Sequence, residues 1–321
     1  MILASFFDAV GEFFSSLADI RWIPMLLGLT SFGIYLSLRS RAYFNVLRAA
    51  YPDARIQWRN IWGAYVAAYG FNNVVPARGG DVIKAFLTRS SVPGSSYPAV
   101  GASFFVEAVF DLTIAIPVLI FAFTQGVFPK PPDFASLEAF DLSFFASHMR
   151  FTLFLLTLIG FLILIGIALL SRRVKLFWAR VQQGLIILRD RSRYLREVWR
   201  VQFVGWLFRF FAFWMLLEAF NIGGSVKNVL LVLGVNAVAA LVPISPGGAG
   251  VQQAFLVSVF GSGAVAYSVG QQIAIAAFSL GLGFVAIFFV FKFRSFKEVI
   301  AAGREARAAE KAAEAAEPRP L

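Results

Sequence analysis

The sequence contains no cysteine, which excludes disulfides, thiolate zinc sites and cysteine nucleophiles. Its only histidine is His148, so a histidine-based metal cluster is excluded and a Ser-His-Asp triad is confined to that residue. The nucleotide-binding pattern G-x-x-x-x-G-K-S/T is also absent, which excludes direct ATP drive. We therefore expect no metal, no cofactor and no enzymatic activity in this chain.

Charge is scarce and hydrophobic residues are abundant. Charged residues make up 15% of the 321 residues and hydrophobic residues 59%, against about 25% and about 45–50% in soluble domains. The segment 151–170 carries no charge and is long enough to cross a hydrocarbon core of about 30 Å. These features exclude a soluble enzyme and a disordered or fibrous chain. In a membrane protein, the net charge of +11 is explained by basic residues in cytoplasmic loops, and we expect no nucleic-acid partner.

The basic residues predict the orientation in the membrane. The connection 39–60 has five arginines and one acid, and 171–200 has nine basic residues and two acids. The segment 124–150 instead has two basic residues and three acids. Because Lys and Arg are enriched in cytoplasmic loops, this pattern places 39–60, 171–200 and the C-terminal tail in the cytoplasm. We expect a multi-pass protein of the cytoplasmic membrane.

Two apolar segments are predicted to enter and leave the membrane on the same side. The segment 61–83 contains FNNVVPARGG, and the segment 229–263 contains VPISPGGAGVQQ. Irregular backbone at membrane depth is tolerated only inside protein or beside water. We therefore predict two re-entrant broken hairpins, the first entered from the cytoplasm and the second from outside.

The predicted fold is an all-α polytopic membrane protein with about five full spans plus two re-entrant broken hairpins. The halves, about 22–123 and 201–292, have inverted topology and are joined by 124–200. Residues 1–21, with phenylalanines at helical spacing, are predicted to form an interfacial amphipathic helix. Residues 293–321 are predicted to form a charged cytoplasmic tail. The predicted full spans are 22–38, 98–123, 151–170, 201–220 and 264–291.

Paired Gly/Pro-interrupted segments in two inverted halves are typical of a transporter's binding site. The first hairpin supplies these candidate headgroup contacts: Asn72, Asn73, Pro76, Arg78, Gly79, Gly80, Asp81 and Lys84. The second hairpin supplies these: Pro243, Ser245, Pro246, Gly247, Gly248, Gly250, Gln252 and Gln253. Glycine amides at a helix start can bind an anion, and Arg78 offers phosphate a two-pronged donor. Alternatively, Arg78 pairs with Asp81, and the second loop is only a helix-breaking turn.

Three further charged residues fall inside predicted spans. Glu107 and Asp111 are four residues apart and share one helix face. A carboxylate at mid-bilayer costs about 2.5–3.5 kcal/mol, so each needs a partner or water. They either pair with Arg78 or Lys84, stay protonated, or carry a coupling proton. Arg209 lies deep in the fourth predicted span.

The blocks FNNVVPARGGDVIKAF, FFVEAVFDL and VPISPGGAGVQQA occur in this order along the chain. Together they resemble the flippase-like membrane domain of lysylphosphatidylglycerol synthases, a family that includes many stand-alone proteins without a synthase. The resemblance covers roughly residues 22–292 and implies an integral membrane protein that moves a lipid or lipid-linked headgroup between leaflets. It implies functional roles for Asn73, Pro76, Arg78, Gly80, Asp81, Glu107, Asp111, Pro243, Pro246, Gly247, Gly248 and Gly250.

The chain departs from the family pattern in three places. Gln253 stands where many members have an acid, and Gln271 and Gln272 are the nearest polar residues where many have an arginine. No synthase-sized soluble domain follows Lys292, so we do not expect aminoacyl transfer.

The leading hypothesis is a translocator that moves a phospholipid or lipid-linked anionic headgroup between leaflets without ATP. One alternative is a non-transporting partner that presents a lipid-linked substrate to a glycosyltransferase or another lipid-modifying enzyme. A second alternative is an intramembrane enzyme that acts on lipid headgroups with the carboxylates of Asp81, Glu107 and Asp111. Membrane lipids are the expected partners in each case.

Overall fold

The computed structural model describes residues 19–75, 79–125, 177–239, 250–261 and 264–292, together with Glu298 and Glu305. Within these residues the regular secondary structure is helical, and they contain no strand. The following predicted segments lie wholly or almost wholly outside the described residues: 1–21, 124–150, 151–170 and 293–321.

The first helix is longer than the predicted span 22–38. Helix α1, Trp22–Ala50, has 29 residues and extends about 43 Å at 1.5 Å per residue. The first part of the predicted connection 39–60, residues 39–50, therefore continues this helix. Arginine is a good helix former. The helix ends before Pro52, because the residue that precedes a proline disfavours the helical conformation.

The next two helices form a close antiparallel pair. Helices α2, Trp58–Asn72, and α3, Gly79–Ser91, have 15 and 13 residues, or about 22 and 20 Å. Each is shorter than the hydrocarbon core of about 30 Å. Their contact depends on Gly80, because a Cβ there would lie 2.1 Å from the Ala68 carbonyl oxygen.

The rest of the described chain contains three long helices and shorter helical segments between them. Helix α4 is Tyr97–Thr124, and helical residues 177–184 with the turn Ile186–Arg189 lead into α5, Arg191–Ala219. The short helices α6, Val226–Ala239, and α7, Val251–Phe260, then precede the long helix α8, Val265–Val290. By length and composition, α4, α5 and α8 are the three described helices able to cross a membrane.

The packing brings the helices of both ends of the chain together. Helix α1 packs along α5, α2 packs on α8, and α4 packs on α6. At the first contact the Ser31 hydroxyl donates to the Phe208 carbonyl at 2.9 Å. Large side chains such as Phe32, Tyr43 and Tyr267 fill the interior between these contacts. The described helices line a cavity that contains charged side chains.

Candidate functional site

A cavity of about 580 Å³ lies inside the helical bundle, and each of the helices α1 to α8 contributes to its wall. Its described lining includes six charged residues: Arg39, Asp81, Lys84, Glu107, Asp111 and Arg209. Such a concentration of charge is costly within an apolar bundle unless the groups pair, meet water or meet a ligand. The partner of each charge therefore decides what the cavity can bind.

Arg39 is fully engaged by the protein. Its Nη1 and Nη2 atoms donate to Asp111 Oδ1 and Oδ2 at 2.5 and 2.9 Å, and its Nε donates to the Tyr65 hydroxyl at 2.9 Å. Arg39 is 8% exposed, whereas the Asp111 side chain is 50% exposed. Asp111 therefore has a cation from α1 as its partner. Of the two predicted pairings with Lys84, that of Glu107 forms and that of Asp111 does not.

Lys84 is held in a small aromatic cage. Its ammonium lies 2.6 Å from Glu107 Oε2, and both residues are buried. Three ring centroids lie 4.1, 4.3 and 4.4 Å from Nζ, those of Tyr43, Tyr65 and Phe104. Rings at this distance attract a cation through their negative faces. The charge of Lys84 is thus balanced inside the fold, which makes it a poor anchor for an anionic headgroup.

Arg209 differs from the other two cations. Its guanidinium carbon lies 5.6 and 5.8 Å from the ring centroids of Tyr35 and Phe213. The described residues offer no carboxylate within ion-pair distance and no hydrogen-bond partner for its buried Nε. A guanidinium is permanently charged and has five donors in a planar fork. Arg209 is the cavity cation best able to bind an added anion.

Asn72 closes the first hairpin. Its Oδ1 accepts from the Gly80 amide at 2.8 Å, and its Nδ2 donates to Asp81 Oδ1 at 2.9 Å. The Gly80 amide is therefore engaged within the hairpin and is not exposed to a ligand, contrary to the prediction. Asp81 lies in the first turn of α3, where the helix dipole favours a negative charge. Pro76 and Arg78 lie outside the described residues.

Asn73 and Gly79 have mainly structural contacts. Asn73 Nδ2 donates to the Tyr69 carbonyl at 2.9 Å and to the Ser279 hydroxyl at 3.1 Å, which connects the hairpin to α8. Gly79 begins α3, and a Cβ at this position would lie 2.3 Å from a methyl group of Val75. Among these residues, Asn73 also lines the cavity.

The second hairpin contributes amides to the cavity and no charge among its described residues. Gln252 Nε2 donates to Asn236 Oδ1 at 2.6 Å, and Gln253 Nε2 donates to Gln272 Oε1. Gln253 Oε1 accepts from the Gly250 amide at 2.5 Å, which caps the start of α7. The other predicted contacts of this hairpin lie outside the described residues: Pro243, Ser245, Pro246, Gly247 and Gly248.

The lining residues that sequence reasoning did not assign to the site include Arg39, Asn236 and Gln271. Arg39 was counted as a topology marker, although polar residues recur every fourth position at Ser31, Tyr35, Arg39 and Tyr43. That spacing places them on one helix face, which is the signal for an inward stripe. Gln271 is fully buried, and neither atom of its amide has a hydrogen-bond partner among the described residues. Asn236 carries no comparable signal.

The described side chains of the cavity differ in whether they have partners. The described residues contain no cluster of three or more side chains able to hold a metal ion. Glu107 and Asp111 are committed to ion pairs, while Arg209 lacks a carboxylate partner and the buried amide of Gln271 lacks a hydrogen-bond partner among the described residues. The cavity can thus accept an anionic group that also forms hydrogen bonds.

One comparison with known proteins identifies the family. The family model of the lysylphosphatidylglycerol synthase TM region matches residues 1–289, which is most of the chain. Comparisons with curated proteins and with solved structures gave no match. The matched region contains the cavity and seven of its eight helices in full, with α8 complete to its penultimate residue. The chain belongs to the family of lysylphosphatidylglycerol synthase transmembrane regions.

Proposed function

We propose that this protein is a lipid translocator that moves a phospholipid or a lipid-linked anionic headgroup between the leaflets without ATP. The observation that carries the proposal is a polar cavity, enclosed by apolar helices, in which Arg209 has no anionic partner among the described residues. A headgroup bound there would be shielded from the hydrocarbon core during its passage.

The boundary of the cavity favours a lipid over a water-soluble solute. Asp111 lines the cavity and is half exposed, and its neighbour Leu112 is 58% exposed. Further large apolar side chains on α4 are exposed, including Phe105, Ile116 and Ile120. Polar lining and apolar outer surface therefore adjoin on one helix. This arrangement suits a molecule whose headgroup is polar and whose chains stay in the hydrocarbon.

The packing pattern supports two related halves. Suppose that α1 to α4 correspond in order to α5 to α8. Then α2 corresponds to α6 and α8 to α4, so the α2–α8 contact corresponds to the α6–α4 contact. The α1–α5 contact then corresponds to itself. The short pairs α2–α3 and α6–α7 occupy the positions of the two predicted re-entrant hairpins. We infer five spans and two hairpins in inverted halves, in which one half rocks against the other.

We also propose a location in the cytoplasmic membrane. The basic segments 39–60 and 171–200 and the C-terminal tail face the cytoplasm in this proposal. Arg39 no longer counts toward that assignment, because it is buried against Asp111. Arg41, Arg48, Arg55 and Arg59 still give 39–60 a basic excess.

The test is lipid movement in proteoliposomes that contain the purified protein. Fluorescently labelled phosphatidylglycerol, its aminoacyl form and a polyprenyl phosphate are each incorporated, and external dithionite reports the label that reaches the outer leaflet. We expect bleaching beyond the outer-leaflet fraction for at least one lipid, and its loss in Arg209→Gln. Arg196→Gln is the matched control, because Arg196 is exposed outside the cavity.

Folded protein that moves none of these lipids would contradict the proposal. That result would favour the partner that presents a lipid-linked substrate to another enzyme. Hydrolysis or transfer of a labelled headgroup would instead favour the intramembrane enzyme.

A further inference from the structure

Among the described residues that line the cavity, one cation, Arg209, has no carboxylate within ion-pair distance. Among the described lining residues, Arg39 is paired with Asp111 and Lys84 with Glu107. Asp81 is stabilised by Asn72 and by the start of its own helix. Arg209 is left with two aromatic faces and no acid.

A second and independent observation points to a ligand in the same cavity. Gln271 of α8 is 0% exposed and lines the cavity. Neither its Nε2 nor its Oε1 has a hydrogen-bond partner within the described part of the chain. Buried amides almost always form hydrogen bonds, because an unpaired buried donor or acceptor has lost its bonds to water without gaining others, which costs free energy. A ligand with both a donor and an acceptor would satisfy Gln271.

We propose that Arg209 binds the phosphodiester of a lipid headgroup and that Gln271 forms hydrogen bonds with hydroxyl groups beside that phosphate. A phosphodiester carries one negative charge, which matches Arg209 as the one described lining cation without a carboxylate partner. A phosphomonoester carries about −1.5 to −2 charges at neutral pH. It would need a second cation, and the other two cations of the described lining, Arg39 and Lys84, are already paired. A hydroxyl both donates and accepts, as the two atoms of the Gln271 amide require.

This inference deepens the proposed function, since it takes from that proposal that the ligand is a lipid. It differs from the sequence prediction, in which Arg78 and Lys84 hold the anion. The aromatic cage around Lys84 removes Lys84 from that role, and the fork of Arg209 replaces it. Tyr35 and Phe213 pack near the guanidinium and restrict its motion, which favours a defined anion position.

The test is calorimetric titration of the full chain in detergent with three short-chain lipids. Dihexanoyl phosphatidylglycerol has a phosphodiester and hydroxyls, the phosphatidylcholine has a phosphodiester without hydroxyls, and phosphatidic acid has a phosphomonoester. We expect phosphatidylglycerol to bind at least tenfold more tightly than phosphatidic acid. Arg209→Gln should weaken both phosphodiester lipids at least tenfold, whereas Gln271→Leu should weaken phosphatidylglycerol alone.

Two further variants keep the test decisive. Arg209→Lys retains the charge without the planar fork and should bind phosphatidylglycerol with intermediate affinity, so it substitutes for Arg209→Gln if that variant does not fold. Arg196→Gln should bind all three lipids as the wild type does. Unchanged affinity in folded Arg209 variants, or preference for phosphatidic acid, would overturn the inference.

The titration and the proteoliposome assay separate this inference from the proposed function. Selective binding without lipid movement would uphold the Arg209 site and reject translocation. Lipid movement that is insensitive to Arg209→Gln would uphold translocation and reject the site.

Discussion

Arg39 and Asp111 join helices α1 and α4 through two hydrogen bonds of 2.5 and 2.9 Å, although 72 residues separate them in the chain. Two parallel hydrogen bonds fix both the separation of the guanidinium and the carboxylate and the relative orientation of their planes, so the contact is geometrically specific. Arg39 is also bonded to Tyr65 of α2. The pair therefore fixes three helices of the first half around one wall of the cavity.

Removal of Asp111 should destabilise the protein markedly. Asp111→Asn leaves the buried guanidinium of Arg39 without its main acid, and loss of one partner of a buried pair costs about 3–5 kcal/mol. Because Asp111 is half exposed and Glu107 lies 3.8 Å from Arg39, we expect the lower end of that range. Thermal unfolding in detergent is the measurement. The paired change Arg39→Met with Asp111→Leu should recover part of the loss, and no recovery would contradict this account.

The Lys84–Glu107 pair should show strong coupling in a double-mutant cycle. Lys84→Met and Glu107→Gln each leave a buried charge without its partner, and we expect a coupling energy of about 2 kcal/mol. The control is the exposed pair Arg193–Glu197, at 3.1 Å on one helix face, which should give only about 0.3–0.5 kcal/mol. Equal coupling in the two pairs would show that burial and the aromatic cage add nothing.

Gly80→Ala should disrupt the first hairpin. The added methyl group would lie 2.1 Å from the Ala68 carbonyl oxygen and 2.7 Å from Asn72 Oδ1, so α2 and α3 must separate. We expect a loss of about 1–3 kcal/mol in the free energy of unfolding. Gly101→Ala in α4 is the matched control, because nothing lies within 4 Å of its added Cβ. A Gly80→Ala protein as stable as the Gly101→Ala protein would refute the close approach.

Two glycine substitutions should shift the accessible side of the cavity in opposite directions. Gly70→Ala would place a Cβ 2.6 Å from the Ser279 carbonyl oxygen at the α2–α8 contact, and Gly234→Ala would place one 2.8 Å from Ala122 Cβ at the α4–α6 contact. The α2–α8 and α4–α6 contacts correspond to each other in the two proposed halves. The two substitutions should therefore favour cavities that open to opposite sides of the membrane.

The readout for these variants is a cysteine at Ala108, a lining residue of α4. The chain has no native cysteine, so Ala108→Cys gives a single reactive thiol for a membrane-impermeant maleimide. Right-side-out and inside-out vesicles should report opposite changes in labelling for Gly70→Ala and Gly234→Ala. Changes in the same direction would contradict the assignment of corresponding contacts.

Much of the helical framework was predictable, because long apolar runs leave few alternatives. The predicted spans 98–123 and 264–291 agree within one residue at each end with α4 and α8. The prolines and glycines of FNNVVPARGG likewise indicated that a helix ends near Asn72 and that the next begins near Gly79. The count of basic residues, which assigned Arg39 to a cytoplasmic segment, was wrong for this residue, because an arginine near the end of a span can also point into the protein. Its partner Asp111 lies on another helix, and one sequence does not reveal that contact.

The distribution of charge between the two proposed halves has an energetic consequence for the proposed rocking motion. Both described ion pairs of the cavity, Arg39–Asp111 and Lys84–Glu107, lie entirely within α1 to α4. The second half contributes Arg209 and amides, and the Asn236–Gln252 and Gln253–Gln272 hydrogen bonds lie entirely within it. A displacement of one half against the other would therefore separate no buried ion pair among these residues. The largest electrostatic penalty of the proposed movement, about 3–5 kcal/mol for each broken pair, would be avoided because each pair lies inside one proposed half.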